Sequence, residues 1–209
     1  MTEFQDIGLI DYQAAWTMQE ELMKDVQTGG TNRVLFVEHP HVYTLGRNGD
    51  TSNMLHQPTD TQLIKINRGG DITYHGPGQL VVYTILRIRD YGVEIREFVH
   101  GLEETVIRTI SHYGINATRL AKATGVWLDP LTPAVRKICA IGLRCSQGVT
   151  MHGFALNVNT DLKYFSYINP CGFTNKGVTS IERETGEQAD MDEVKKLVKQ
   201  NFTQIFMKI

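Results

Sequence analysis

Residues 136–159 read RKICAIGLRCSQGVTMHGFALNVN. Two runs rich in apolar and β-branched residues, RKICAIGLRC and VTMHGFALNVN, flank Ser-Gln-Gly, the pattern of a β-hairpin. The first run is apolar on both faces. Cys139, Ile141 and Leu143 fall on one side, Ile138 and Ala140 on the other, which suits a strand inside a sheet. In the second run strict alternation puts Gly153 and Ala155 on one face, leaving room above the sheet, and His152 on the other. Lys137, at the mouth of the first run, reads either as a solvated edge residue or as a partly buried cation facing a site.

The rest of the chain fits around that hairpin. Asp11–Gln27 carries Ala15, Met18, Leu22 and Val26 on one helical face. RVLFVEH (33–39) and HVYTLGR (41–47) read as strands broken by Pro40. LIKINR (63–68) and DITYHG (71–76) read as a strand pair around Gly69-Gly70. QLVVYTILRIR (79–89) is the longest β-branched run and is expected at the centre of the sheet. Glu94–Tyr113 aligns Ile95, Phe98, Leu102, Val106 and Ile110 as a helix, with Gly114 placed to end it. INATRL (115–120) and GVWL (125–128) follow, then a polar loop, DPLTPAV (129–135). Met191–Phe206 forms a last helix with Val194, Leu197, Val198, Phe202 and Ile205 on one face. This order predicts an α+β fold, a mostly antiparallel or mixed sheet packed with helices, in a single domain over residues 1–209.

Composition narrows the function. The 209 residues are 41% hydrophobic and 21% charged, with a formal net charge of −2. That balance gives no basic footprint for nucleic acid and no polybasic membrane patch. No apolar run approaches a membrane span, and MTEFQDIGLIDYQ lacks the charge and apolar pattern of a signal peptide. Three cysteines at wide spacings do not make a disulfide framework, and neither Cys139 nor Cys145 sits in a zinc pattern. A cytoplasmic protein with reduced thiols is expected. His39 and His41 share a strand face across Pro40, but no third ligand accompanies them, so no metal is expected.

Four segments combine glycine with polar groups. NRGGDITYHGPGQ (67–79) holds four glycines beside Arg68, Tyr74 and His75. It matches neither a phosphate-binding P-loop nor a dinucleotide fingerprint. It can serve as a hairpin turn or as backbone that approaches a ligand closely. RKICAIG and MHGFALN are the hairpin strands. INPCGF (168–173) places Cys171 between Pro170 and Gly172, which suits a thiol presented at a site and equally a tight turn. A thiol of ordinary pKa is only slightly ionised at pH 7, so reactivity needs a nearby cation; Lys137, His75 and His152 are the candidates. Cys139 and Cys145 read as packing residues.

Taken together and in this order, RGGDITYHGPGQLVVY, KICAIGLR, MHGFALNVNTDL and INPCGF resemble the lipoyl(octanoyl) transferases. EHPHVYTLGR and the VTSI after Cys171 fit the same family, so the resemblance spans about residues 38–181. It implies the α+β fold of biotin-protein and lipoate-protein ligases. It implies a ping-pong transfer of an octanoyl group from octanoyl-acyl carrier protein to an enzyme cysteine, then to a lysine of lipoyl domains. Those domains belong to 2-oxoacid dehydrogenase complexes and the glycine cleavage H protein. No cofactor, metal, nucleic acid or membrane is implied. The family's nucleophile falls on Cys171, and the lysine that favours its thiolate falls on Lys137. The acyl-binding stretches fall on Arg68, Gly69, Gly70, Asp71, Ile72, Thr73, Tyr74 and His75, on Ala140, Ile141 and Gly142, and on Gly153, Phe154 and Ala155. The small residues Gly142, Gly153 and Ala155 are expected to leave a channel for the chain, whose burial contributes about 0.8 kcal/mol per CH₂. The competing readings are an ATP-dependent lipoate or biotin ligase and a non-catalytic acyl-binding module.

Overall fold

The computed structural model describes residues 2–169 and 176–207. Its hydrogen-bonded centre is three strands. They are β6 (Gln79–Ile85), β10 (Val149–Asn157) and β9 (Arg136–Ser146), all antiparallel. Every residue of β6 and β10 is buried, because helices cover both faces. On one face α2 (Ile95–Ser111) and α4 (Met191–Phe206) pack Phe98, Leu102, Val198 and Phe202 against Leu80, Val82, Phe154 and Leu156. On the other, α1 (Tyr12–Gln27) packs Ala15, Met23 and Val26 against Val81, Tyr83 and Met151. The continuous apolar reading of residues 79–85 follows from this double cover.

The expected hairpin forms, with Gln147 (φ 51°) and Gly148 (φ 74°) both left-handed in a two-residue turn. The sheet extends on one side to β2 (Asn32–Glu38) and β1 (Thr2–Leu9), and on the other to β8 (Ala123–Leu128) and β7 (Thr118–Leu120). β11 (Gly177–Val178) runs parallel to the first residues of β9. A short helix, α3 (Ile181–Thr185), follows it. The sequence reading has no strand at residues 2–9. β1 is an edge strand, half-exposed or exposed throughout, whose pattern lacks the apolar face that marks a strand.

Helix ends follow local chemistry. Asp11 accepts hydrogen bonds from Gln13 N and Ala14 N, and Glu94 and Glu97 form a capping box at the start of α2.

A second sheet corrects one expectation. β4 (Gln62–Lys65) and β5 (Ile72–His75) do not pair with each other; β3 (Val42–Leu45) lies between them, parallel to β4 and antiparallel to β5. β3 is buried at all four residues, whereas β4 is half-exposed or exposed throughout, so burial favours β3 in the middle. Tyr43, Leu45, Ile72 and Tyr74 make this sheet's own apolar cluster with Ile168.

The sheets meet where residues 76–78 lead into β6. Gly78 has φ +77°, and a Cβ there would lie 2.4 Å from Asn159 O. Asn159 N donates to Gly78 O at 2.8 Å, so the two backbones are in contact. Gly92 has φ +65° but open space around it. Gly92→Ala is therefore expected to cost about 1 kcal/mol, the left-handed backbone alone. Gly78→Ala is expected to cost clearly more, about 2–4 kcal/mol with the clash added. Urea unfolding of the two variants measures the difference, and equal costs would contradict the contact.

Candidate active site

The loop 66–71 and β5 lie over the β9–β10 hairpin. Gly69 N donates to Leu143 O at 3.1 Å. Between the layers is a cavity of about 640 Å³, a size suited to a small-molecule ligand. From the hairpin, Lys137, Ala140, Ile141 and Gly142 line it, with Gly153, Phe154 and Ala155. From the covering layer come Arg68, Gly69, Gly70, Asp71, Thr73 and His75. Ile72 and Tyr74 alternate away from it, into the small sheet's apolar cluster. Cys171 lies outside the described residues.

Lys137 reaches the cavity through a defect in β9. Strict alternation would give it the face of Cys139, the side covered by α2 and α4. The β8–β9 register instead shifts, with Val126 opposite Cys139 and Trp127 opposite Lys137, so Ile138 is an extra residue. Ile138 and Cys139 both enter the core, and Lys137 turns to the cavity side with Ala140 and Ala155. Its Nζ lies 4.5 Å from the centroid of the Trp127 ring. Thr179 N donates to Lys137 O at 2.9 Å, so the chain just after residues 170–175 runs beside the lysine. Lys137 and Lys176 also share a narrow chamber of about 20 Å³ with Thr73, Gln79, Ala140 and Ala155.

Two further expectations change. His152 has φ +64°, which breaks the alternation and turns the ring to the cavity. Its Nε2 meets Asn67 Oδ1 at 2.9 Å, and its ring stands 6.5 Å from that of Tyr83. Gly142 and Gly153 do not open a channel by their own smallness. A Cβ on Gly142 would meet Arg68 Cδ at 3.1 Å, and one on Gly153 would meet Val82 O at 2.1 Å. These glycines admit the Arg68 stem and the neighbouring strand. The free space lies between Ala140, Ala155 and Val81 below and Thr73 and His75 above.

A buried chain of hydrogen bonds ties the layers together. Arg68 Nη2 donates to Thr44 O at 2.8 Å and to Thr44 Oγ1 at 2.9 Å. Thr44 Oγ1 lies 3.4 Å from His75 Nε2, and His75 Nδ1 lies 2.7 Å from Gln79 Oε1. Gln79 Nε2 donates to Asn157 Oδ1 at 2.9 Å, and Asn157 Nδ2 to Thr179 O at 2.9 Å. Because Gln79 Nε2 is a donor, its Oε1 accepts from His75 Nδ1–H, which leaves Nε2 as the acceptor. Sequence reading missed Gln79, Asn157, Tyr83 and Trp127. The available signal was polarity: Gln79 and Asn157 sit opposite each other at the ends of two mostly apolar strands.

The remaining candidates separate by environment. His39 is buried, with Nδ1 2.7 Å from Ile10 O and Nε2 2.7 Å from Tyr83 Oη. His41 stacks on Tyr164 instead, ring centroids 4.3 Å apart. Among the described residues no three His, Cys, Asp or Glu side chains converge as a metal site. Burial pushes the Cys139 thiol far above its usual range, and it packs in the core, away from the cavity face. Cys145 is exposed, and partial desolvation raises its thiol more modestly. No helix among the described residues is long and apolar enough to cross a membrane.

Burial holds three histidines neutral. It lowers His75 and His152 to about 3 and His39 to about 4. Below about pH 6.5 the unfolded chain takes up protons that these folded sites refuse, so stability falls with falling pH. The expected slope approaches about 1.4 kcal/mol per pH unit for each histidine between pH 6 and pH 4. Urea unfolding across that range should show it. His75→Gln should flatten the slope, and an unchanged slope would contradict a buried neutral His75.

The fold and cavity can be set beside known proteins. The lipoyl protein ligase A/B catalytic domain family matches residues 11–203. A relative from Bacteroides fragilis, named octanoyltransferase, is 56% identical over 201 residues, covering 91% of each chain. Among solved structures, a bipartite lipoate protein ligase from Thermoplasma acidophilum superposes with a TM-score of 0.72 at 15% identity. The match covers 99% of this chain and 84% of that one. A biotin protein ligase from Aquifex aeolicus gives 0.57 at 13% identity, covering 99% and 70%. These two likenesses concern the fold.

Proposed function

The chain belongs to the lipoyl protein ligase A/B catalytic domain family and is an octanoyl-transferring acyltransferase of protein lipoylation; we propose that it works through a thioester on Cys171, with Lys137 as its acid–base partner. The donor is octanoyl-acyl carrier protein, and the acceptor is a lysine of a lipoyl domain, in 2-oxoacid dehydrogenase complexes or the glycine cleavage H protein. The reaction belongs to the cytoplasm. The octanoyl chain lies between Ala140, Ala155 and Val81 on one side and Thr73 and His75 on the other.

The observation that carries this reading is the facing of Lys137. Its side chain lines the cavity, and its carbonyl is bonded to the segment that follows Cys171 by eight residues. An ammonium close to the thiol favours the thiolate. The thiolate attacks the donor's carbonyl carbon, the donor C–S bond breaks, and the departing thiolate takes a proton from the Lys137 ammonium. The neutral amine of Lys137 then accepts a proton from the attacking acceptor lysine as the C–N bond forms and Cys171 leaves as thiolate. The second half-reaction restores both groups, and no ATP is consumed because the thioester is already activated. His75 is held neutral, so it adds no charge that would compete for the thiolate.

Incubation with octanoyl-acyl carrier protein should leave one octanoyl adduct on the Cys171 peptide, read by mass spectrometry. Cys171→Ser should lower transfer by at least about a thousand-fold, and Lys137→Ala by about 10²–10⁴-fold. Full activity of Cys171→Ser, or a requirement for ATP with free octanoate, would refute the mechanism.

A further inference from the structure

The indole of Trp127 is one of the largest fully buried side chains, at 1% exposure, yet one of its faces is turned to a charge. Its Nε1–H donates to Ala123 O at 2.8 Å, which fixes the ring along β8. The Lys137 ammonium stands over that ring at 4.5 Å. The stem of the lysine passes Gly125, which has φ +128°. A Cβ there would lie 3.4 Å from Lys137 Cε and 2.5 Å from Cys139 O. Gly125 N in turn donates to Glu103 Oε1 at 3.1 Å, and Glu103 is paired with Arg119. The bulge, the glycine slot and the indole face thus act on one side chain from three directions.

We propose that Trp127 is a positioning residue for the acyl transfer, its ring face fixing the Lys137 ammonium at the cavity mouth. The proposal rests on the roles of Cys171 and Lys137 given above. A lysine stem has four rotatable bonds and loses much rotamer entropy when held in one place. An electron-rich ring under the ammonium offsets that loss without supplying an anion, which would compete with the thiolate for the same charge. Glu103 lies behind Gly125 and is engaged by Arg119, and Lys176 adds a second cation to the chamber. The indole is thus a neutral support in a site that must alternate between ammonium and amine.

The test alters the ring's electrons while keeping its shape. The chain has two tryptophans, so Trp16→Phe leaves Trp127 alone, and Cys145→Ser removes the exposed thiol. Fluorinated tryptophans of increasing fluorine count, incorporated biosynthetically, withdraw density from the ring face. Alkylation of Cys171 by iodoacetamide is followed from pH 5 to 9 at peptide level, with Lys137→Ala and Trp127→Phe alongside. Alkylation near pH 6 should slow stepwise with fluorination, by about three- to thirty-fold at the fullest substitution. The unfolding midpoint should not move, and kcat for transfer should fall more than KM rises. Trp127→Phe should retain part of the effect. Alkylation at or above the unsubstituted rate at every fluorine count, with Lys137→Ala still slow, would overturn the role of Trp127 alone. No slowing in Lys137→Ala would overturn the Cys171–Lys137 reading and the proposal with it.

Discussion

Two antiparallel strands buried along their whole length, β6 and β10, set everything else in this molecule. A backbone N–H or C=O inside β6 or β10 has no water to turn to, so each must meet a neighbouring strand, with β2 and β9 on the outer sides. Register is therefore not adjustable, since a slip of one residue would send a whole apolar face to the wrong side. That fixed register places Gln79 opposite Asn157 and Ala140 opposite Ala155. The first pair anchors a polar chain and the second makes the floor of the cavity.

The second sheet is held over that floor mainly by polar groups. Arg68, Thr44, His75, Gln79, Asn157 and Thr179 form a line with one sense of donation from the covering loop to the segment beside Lys137. Networks of this kind are costly if any member is left unmatched, and they define geometry sharply when all are matched. A ligand space between two layers needs that definition, because apolar packing alone would close it. The Arg136–Glu184 pair, with two bonds at 2.7 and 2.6 Å, does the same at the other end and fastens α3 to the start of β9.

The hairpin, the long helices and the central strand were legible because each follows one simple period. The composition of residues 67–79 and 136–155 also disclosed where a site would gather. Parity arguments failed where the backbone departs from regular geometry. At Ile138 an inserted residue offsets the odd-even count between everything before it and everything after, and at His152 a left-handed φ re-aims the ring. Neither leaves a mark in hydrophobic pattern. The pairing of β4 with β3 escaped notice because a parallel pair is joined by a long crossover, here residues 46–61, and not by a tight turn. Trp127 drew no notice within GVWL, because the lysine that stands over its ring is ten positions away and meets it only through strand pairing.

The bulge makes β9 a strand with two separate numbering frames. Residues up to Lys137 count odd and even in one frame, and residues from Cys139 onward in the other, with Ile138 as the spacer between them. Removing the spacer would leave Lys137 and Cys139 on the faces they already have. What would vanish is the extra apolar anchor, since Ile138 is wholly buried beside Cys139. The inserted residue is thus a local fastening, and the side chain before it can be exchanged without renumbering the strand that carries the cavity floor.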